Sequence, residues 1–260
     1  MTPAGAVVVV TGGGSGIGAA LATRLAAEGA EAVIVADIDA AAARSVAGRI
    51  GGVPEPLDVA DATSVTDLVE RTVARFGRID LFCANAGVAT EVGLDASDET
   101  WRRAFDVNVM AHVYAARAVV PHMLARGGGH FLATASAAGL LTAPADAPYS
   151  VTKHAAVGFA EWLAIAYGDR GIGVSVLCPM GVATPMLMRP LEAGAASAKA
   201  VAASGEILSP ESVADAVIEG LAAEEFLILP HPEVGTFWAK KAARPDRWLT
   251  AMRRLGGEPS

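Results

Sequence analysis

A run of glycines set between an apolar strand and a helix constrains this chain more than any other feature. Residues 4–10 form a short, apolar, β-branched segment, Thr11-Gly12-Gly13-Gly14-Ser15-Gly16-Ile17-Gly18 follows, and residues 19–27 make an Ala- and Leu-rich helical segment. Glycines let a ligand approach the backbone closely, and the N-terminus of the following helix offers N–H groups to a pyrophosphate. The spacing Thr-Gly-x-x-x-Gly-x-Gly, on Thr11, Gly12, Gly16 and Gly18, sets its first two glycines farther apart than the usual dinucleotide fingerprint. A plain flexible turn rarely needs so many glycines between a buried strand and a helix. The loop therefore predicts a phosphate cradle, with Ser15 and Ile17 among its residues.

A second apolar strand, 32–36, ends at Asp37, where a carboxylate can bond both ribose hydroxyls of an adenosine half. No Arg or Lys follows it until Arg44. A 2′-phosphate beside Asp37 would meet repulsion on the order of a few kcal/mol in a partly shielded site, which favours NAD over NADP. Asp37 also fits as the N-cap of a helix starting near Ala40, a role it would share with Asp39.

Near-continuous apolar runs at 7–10, 32–36, 131–135 and 174–178 point to parallel strands covered on both faces, and 53% of the residues are hydrophobic. Strands alternate with helical segments, so right-handed crossovers and a doubly wound sheet follow. The predicted fold is α/β: a single Rossmann-like domain over residues 1–260, with helices on both faces of a parallel sheet. The net charge of −8 argues against nucleic acid, whose binding rests on clustered Lys and Arg. Cys83 and Cys178 each end a predicted buried strand and read as core thiols in a reducing compartment. The five histidines have no ligand-like spacing, so no metal is expected. No signal peptide or bilayer-spanning stretch stands out, which leaves the cytoplasm as the expected location.

Tyr149 and Lys153 lie in Pro148-Tyr149-Ser150-Val151-Thr152-Lys153, at the head of a helical stretch. The i,i+4 spacing sets phenol and ammonium on one face. A fixed cation beside a tyrosine favours the phenolate and lowers its pKa, making a general acid/base suited to carbonyl and alcohol chemistry. Alone the pair is weak, since most Tyr and Lys residues one turn apart are a half-buried ring beside a solvated charge. Its weight comes from the glycine loop upstream.

Together these motifs resemble the short-chain dehydrogenase/reductase family, over about residues 7–229. They stand in the family's order: Thr11 to Gly18; Asp58-Val59 after the third strand; Asn85-Ala86-Gly87 after the fourth; Asn108 within Asp106-Val107-Asn108-Val109; Ser136 within Thr134-Ala135-Ser136-Ala137-Ala138-Gly139; Tyr149 with Lys153; and Pro179 to Thr184 after the sixth. The resemblance implies that Tyr149 is the acid/base and that Lys153 lowers its pKa and holds the nicotinamide ribose. It gives Ser136 the substrate oxygen and Asn108 a water-linked proton path behind Lys153. Asp58 and Val59 would meet the adenine, Asn85 the adenosine ribose region, and Val182 with Thr184 the nicotinamide carboxamide and phosphate. Two departures stand out: Ala84-Asn85 replaces a double asparagine, and Pro179-Met180-Gly181 places glycine one position late. Taken singly, Ser136 fits a strand end, Asn108 a polar kink in a long helix, and Asp58 a helix cap.

Residues 182–208, rich in Ala, Ser and Gly with Met186, Leu187, Met188 and Leu191 near the start, read as an irregular segment and a lid over substrate. Residues 234–260 read as an amphipathic basic tail of one or two helices divided near Pro245, packed on the parent or a partner subunit in preference to a membrane. The segments 88–94 and 137–143 and the lid would line an apolar pocket for an uncharged, fairly hydrophobic alcohol or ketone. The resemblance implies a homo-oligomer, dimer or tetramer, joined through helices at 98–126 and 149–168. The alternatives are a non-catalytic NAD(H)-binding sensor and a reductase of β-keto thioesters.

Overall fold

The central strands are runs of apolar residues buried on both sides. In the computed structural model, which describes residues 1–256, seven strands form one sheet: β1 (Val7–Thr11), β2 (Ala32–Asp37), β3 (Val53–Pro56), β4 (Leu81–Ala84), β5 (Gly129–Thr134), β6 (Ile172–Leu177) and β7 (Leu227–Ile228). Their order is β3-β2-β1-β4-β5-β6-β7, and every neighbouring pair is parallel. The helices are α1 (Gly16–Ala27), α2 (Ala40–Ile50), α3 (Ala62–Phe76), α4 (Asp98–Phe105), α5 (Ala111–Ala125), α6 (Ala138–Leu141), α7 (Ala147–Tyr167), α8 (Pro185–Glu192), α9 (Ala196–Ala203), α10 (Pro210–Ala222), α11 (Glu233–Ala243) and α12 (Pro245–Gly256).

Alternate residues of each strand face opposite layers. Val7 and Val9 pack with Phe82, Phe131 and the apolar faces of α3, α5 and α7, whereas Val8 and Val10 pack with Leu21, Leu81 and those of α1, α2 and α10. This is the doubly wound, Rossmann-like sheet expected from the apolar runs. Chain order reverses between β1 and β4, so the crevice at their carboxyl ends is where such a fold binds its ligand.

Two local features differ from the plainest reading of the sequence, and a third, the tail, follows it. The long helix spanning α4 and α5 is interrupted by a π-helical turn at Asp106–Met110, centred on Asn108. The segment 182–208 is not irregular: Pro185 opens α8, and the alanine-rich run that follows it forms α9, in line with their helix propensities. The tail splits at Pro245 and packs on its own protein, with Phe237 and Trp248 against the core, Lys241 Nζ donating to the Leu140 carbonyl at 2.6 Å and Trp248 Nε1 to that of Leu141 at 3.4 Å. Its last four residues, 257–260, lie outside the described residues. Cys83 and Cys178 are buried and free. Among the described residues no helix is long and apolar enough to cross a membrane, and no cluster of His, Cys, Asp or Glu is arranged to hold a metal ion.

Candidate active site

The end of β4 lies directly on the glycine loop. Thr11 Oγ1 accepts from the N–H groups of Asn85 (3.0 Å) and Ala86 (3.2 Å), while Asn85 Nδ2 donates to the Thr11 carbonyl at 3.0 Å. Gly12 has φ +64°, and a Cβ there would stand 2.9 Å from Ala86 Cα. A Cβ on Gly18 would run into the Gly12 carbonyl and stand 2.6 Å from Asn85 Nδ2. Both positions require glycine for close approach. The single asparagine of Ala84-Asn85 therefore suffices to tie the loop to β4.

Ser15 precedes α1 in an extended conformation, and its exposed hydroxyl makes no capping bond, so the first-turn N–H groups are not taken up by it. Ile17 packs against the core beneath. On the far side, Thr184 Cγ2 is 3.0 Å from where a Gly16 Cβ would stand, so the segment after β6 closes onto the same loop. Val182, 4% exposed, is fixed there by a parallel bridge to Leu208.

Asp39, not Asp37, caps α2, accepting from Ala41 N and Ala42 N at 2.9 and 3.0 Å. Asp37 is left to accept from Gly14 N at 2.8 Å and Asp39 N at 2.9 Å, at the lip of the loop. Similarly Asp61 caps α3, and Asp58 is released to face Arg103 at 3.6 Å above the buried Val59. A cradle without Cβ atoms, an uncapped helix N-terminus and a carboxylate at the next strand end fit a dinucleotide with an unphosphorylated ribose.

The second cluster stands beside this cradle. Lys153 is 3% exposed, its Nζ donates to the Thr134 carbonyl at 3.0 Å, and it lies 5.6 Å from the centre of the Tyr149 ring. A Cβ on Gly87 would be 3.2 Å from both Lys153 Nζ and Asn108 Oδ1, so the turn after Asn85 brings these groups together. Asn108 bonds Val88 through both its atoms, accepting from N and donating to O at 2.9 Å each, and donates to Thr152 Oγ1 at 3.0 Å. It is an anchor between helices, not a bare kink. Ser136, 8% exposed, accepts from Ala138 N at 3.1 Å and donates to the Pro179 carbonyl across 3.4 Å, a weak bond from which its proton is easily redirected.

The electrostatics correct one expectation. Tyr149 was expected to be held below its usual pKa by Lys153; instead burial raises the half-buried phenol above 10.0, with Ser136 opposing through a hydrogen bond and Asp146 and Cys178 adding to the rise. Burial also lowers Lys153 to about 8. The Lys153 ammonium donates to the Thr134 carbonyl, and burial is the largest influence on the phenol. Nearby His112, with neither ring nitrogen hydrogen-bonded, is lowered to about 3 by burial and by Lys153, so it is neutral at physiological pH.

Asp146 gave no signal in the sequence, yet it builds the wall of the site. Its buried carboxylate caps α7 by accepting from Tyr149 N at 3.0 Å, and also accepts from Thr90 N (2.8 Å), Thr90 Oγ1 and Glu91 N (2.7 Å). It thus ties the 88–94 segment to α7 and supports the left-handed Glu91 backbone, φ +56°. Asp146→Ala removes a helix cap and strands two N–H donors. It is expected to cost about 3 kcal/mol, read as a shift of the urea midpoint; an unmoved midpoint would contradict this role.

The sequence-predicted residues thus fall into two adjoining groups. Gly12, Ser15, Gly16, Ile17, Gly18, Asp37, Asn85, Val182 and Thr184 surround the loop, and Asn108, Ser136, Tyr149 and Lys153 gather beside it, while Asp58 and Val59 stand farther along the strand ends after β3.

Comparison with known proteins agrees with this architecture. The family model for short chain dehydrogenases matches residues 6–194. The chain is 35% identical over 239 residues to the 1-deoxy-11-beta-hydroxypentalenate dehydrogenase of Streptomyces avermitilis, covering 88% of this chain and 85% of that protein. It is 35% identical over 218 residues to a cyclohexanol dehydrogenase of an Acinetobacter species, covering 81% and 85%. A solved short chain dehydrogenase/reductase from Burkholderia phymatum, in complex with NAD, superposes with a TM-score of 0.85 at 29% identity over 95% of this chain and 96% of that one.

Proposed function

Because this chain belongs to the short-chain dehydrogenase/reductase family, we propose that it is an NAD-dependent oxidoreductase interconverting a secondary alcohol and a ketone on a small, uncharged, fairly hydrophobic substrate. The observation that carries this reading is the placement of Tyr149, Lys153, Ser136 and Asn108 beside a phosphate cradle at the carboxyl edge of the sheet.

The bound dinucleotide supplies the hydride acceptor or donor. In oxidation Tyr149 Oη takes the alcohol proton, and in reduction it returns one. Ser136 Oγ–H donates to the same oxygen, so two groups stabilise the charge that develops there. Lys153 holds the nicotinamide ribose with its ammonium, and Asn108 fixes the helix that carries both Tyr149 and Lys153 through Thr152. Apolar side chains exposed in 88–94 and at the start of the lid, Val92, Leu94 and Met186, favour a hydrophobic substrate, and segment 182–208 covers it.

The test is NADH formation, read by absorbance, from purified protein, NAD and a panel of cyclic, aromatic, steroid and aliphatic secondary alcohols. Turnover on one class supports the reading; NAD binding with no turnover on any class would replace it with the sensor or thioester reading. Asp37→Ala is expected to weaken NAD binding and narrow its advantage over NADP by at least about tenfold, since the like-charge repulsion is gone. An unchanged NAD/NADP ratio would remove Asp37 from the ribose site.

The assembly in this reading is a homo-oligomer, a dimer or a tetramer, built through α4, α5 and α7. Phe105 on α4 and Val151, Trp162 and Ile165 on α7 are exposed apolar residues, Ile165 at 85%. Ile165→Asp is expected to give smaller particles by light scattering; an unchanged mass would move the interface elsewhere. Two buried, free thiols, with Cys178 pushed up to about 12 by burial, support work in the reducing cytoplasm.

A further inference from the structure

His231 sits in the turn Leu229-Pro230-His231-Pro232 between β7 and α11 and is 1% exposed. Its Nδ1 lies 3.1 Å from the N–H of Met180, and its Nε2 lies 3.1 Å from the carbonyls of both Gly181 and Glu206. A backbone N–H can only donate and a carbonyl can only accept, so Nδ1 must carry the lone pair and Nε2 the proton. One neutral imidazole, in one tautomer, thereby joins three stretches of chain.

Two of those stretches are the ends of the segment 182–208. Its neck is closed by the Val182–Leu208 bridge, by Ala183 N donating to the Leu208 carbonyl at 2.9 Å, and by Leu208 N donating to that of Gly181 at 3.0 Å. The imidazole adds a shared N–H across the same neck and captures Met180 N beside it. Packing is close here too: a Cβ on Gly205 would collide with Met180 Cε and stand 2.7 Å from Glu233 Oε1. Met180 supplies the amide that His231 receives, whereas a Cβ on Gly181 would meet only ordinary contacts at 3.4 Å or more.

We propose that His231 is a positioning residue that staples the neck of the 182–208 segment and so sets where Val182 and Thr184 stand against the glycine loop. The part of this inference that concerns cofactor rests on the function proposed above; the staple itself does not. Loosening the neck frees Thr184 from the face of Gly16, which weakens dinucleotide binding without touching a group that reacts.

The test compares wild type, His231→Gln and His231→Leu by backbone hydrogen exchange and by NADH titration on fluorescence. Gln can still donate to the two carbonyls, whereas Leu can do neither job. Leu is expected to speed exchange about tenfold in 180–184 and 206–208 while β1, β4 and β5 stay protected, and to raise the NADH Kd about five- to tenfold, with Gln recovering part of both. Exchange at the neck that is unchanged, or that rises uniformly over the whole sheet, would overturn the staple. Wild-type protein that fails to bind NADH would instead overturn the proposed function. Should the Leu variant not fold, long-range proton–nitrogen NMR of the wild type decides: an Nε2–H tautomer supports the staple, and an Nδ1–H or doubly protonated ring at neutral pH refutes it.

Discussion

Tyr149→Phe is expected to lower kcat for alcohol oxidation by about 10²–10⁴-fold, the range a positioned general acid/base supplies. The change removes one oxygen from a half-buried ring and leaves its packing in place. Burial holds the phenol above its usual 10.0, so no charge is deleted at neutral pH. NADH affinity is therefore expected to stay within about threefold. The pH profile adds a second signature. Below about 8 the phenolate fraction grows tenfold per pH unit while Lys153 remains charged, so kcat/KM for oxidation climbs steeply. Above about 8 the loss of the ammonium offsets the gain of phenolate, and the curve levels. Purified Tyr149→Phe should lack this climb. A variant that turns over at the wild-type rate, or keeps the same slope, would remove Tyr149 from the proton transfer.

The raised phenol shows where reading a sequence stops. Spacing alone places Tyr149 and Lys153 on one helical face, and the structure keeps them there; how deeply each is buried depends on β5, β6 and the turn at Gly87, and burial reverses the sign of the expected shift. Strands buried on both faces announce themselves as unbroken apolar runs, so β1, β2 and β5 were legible to within about two residues, the uncertainty usual for element ends. Edge strands carry a weaker pattern. β3 is Val53-Pro54-Glu55-Pro56 and β7 has two residues, and neither has a periodicity to read. The candidate site residues Ser136, Tyr149 and Lys153 were legible as a group because each lies in a local motif. Asp146, His231 and Lys241 were not, because each matters through backbone groups 50 or more positions away that only the fold leaves in need of a partner. The competition between Asp37 and Asp39 for one cap was visible but undecided, and a single pair of hydrogen bonds from Ala41 and Ala42 settles it.

Lys153→Met is expected to stop turnover and stabilise the protein together. The ammonium is 3% exposed with a single carbonyl partner, and burial lowers its pKa from 10.5 to about 8. A difference of that size corresponds to roughly 3 kcal/mol of unfavourable burial at neutral pH. Methionine fills similar volume without charge; losing the bond to Thr134 returns about 1 kcal/mol, so a net gain of about 1–2 kcal/mol remains. The pH dependence fixes the cause. Below about 8 the lysine is charged folded and unfolded, and the folded protein bears the whole penalty. Between about 8 and 10.5 the folded protein sheds the proton first, so wild-type stability rises relative to that of the variant, and the advantage of methionine fades across that window. Urea unfolding of both proteins at pH 7 and pH 10 measures the difference directly. Turnover should fall at least about 10²-fold because the cofactor ribose loses its cation. A variant less stable than wild type at pH 7 would show that Thr134 and its surroundings solvate the ammonium well. In that case the buried cation would be a structural support of the site, instead of a cost that the fold bears for the sake of its chemistry.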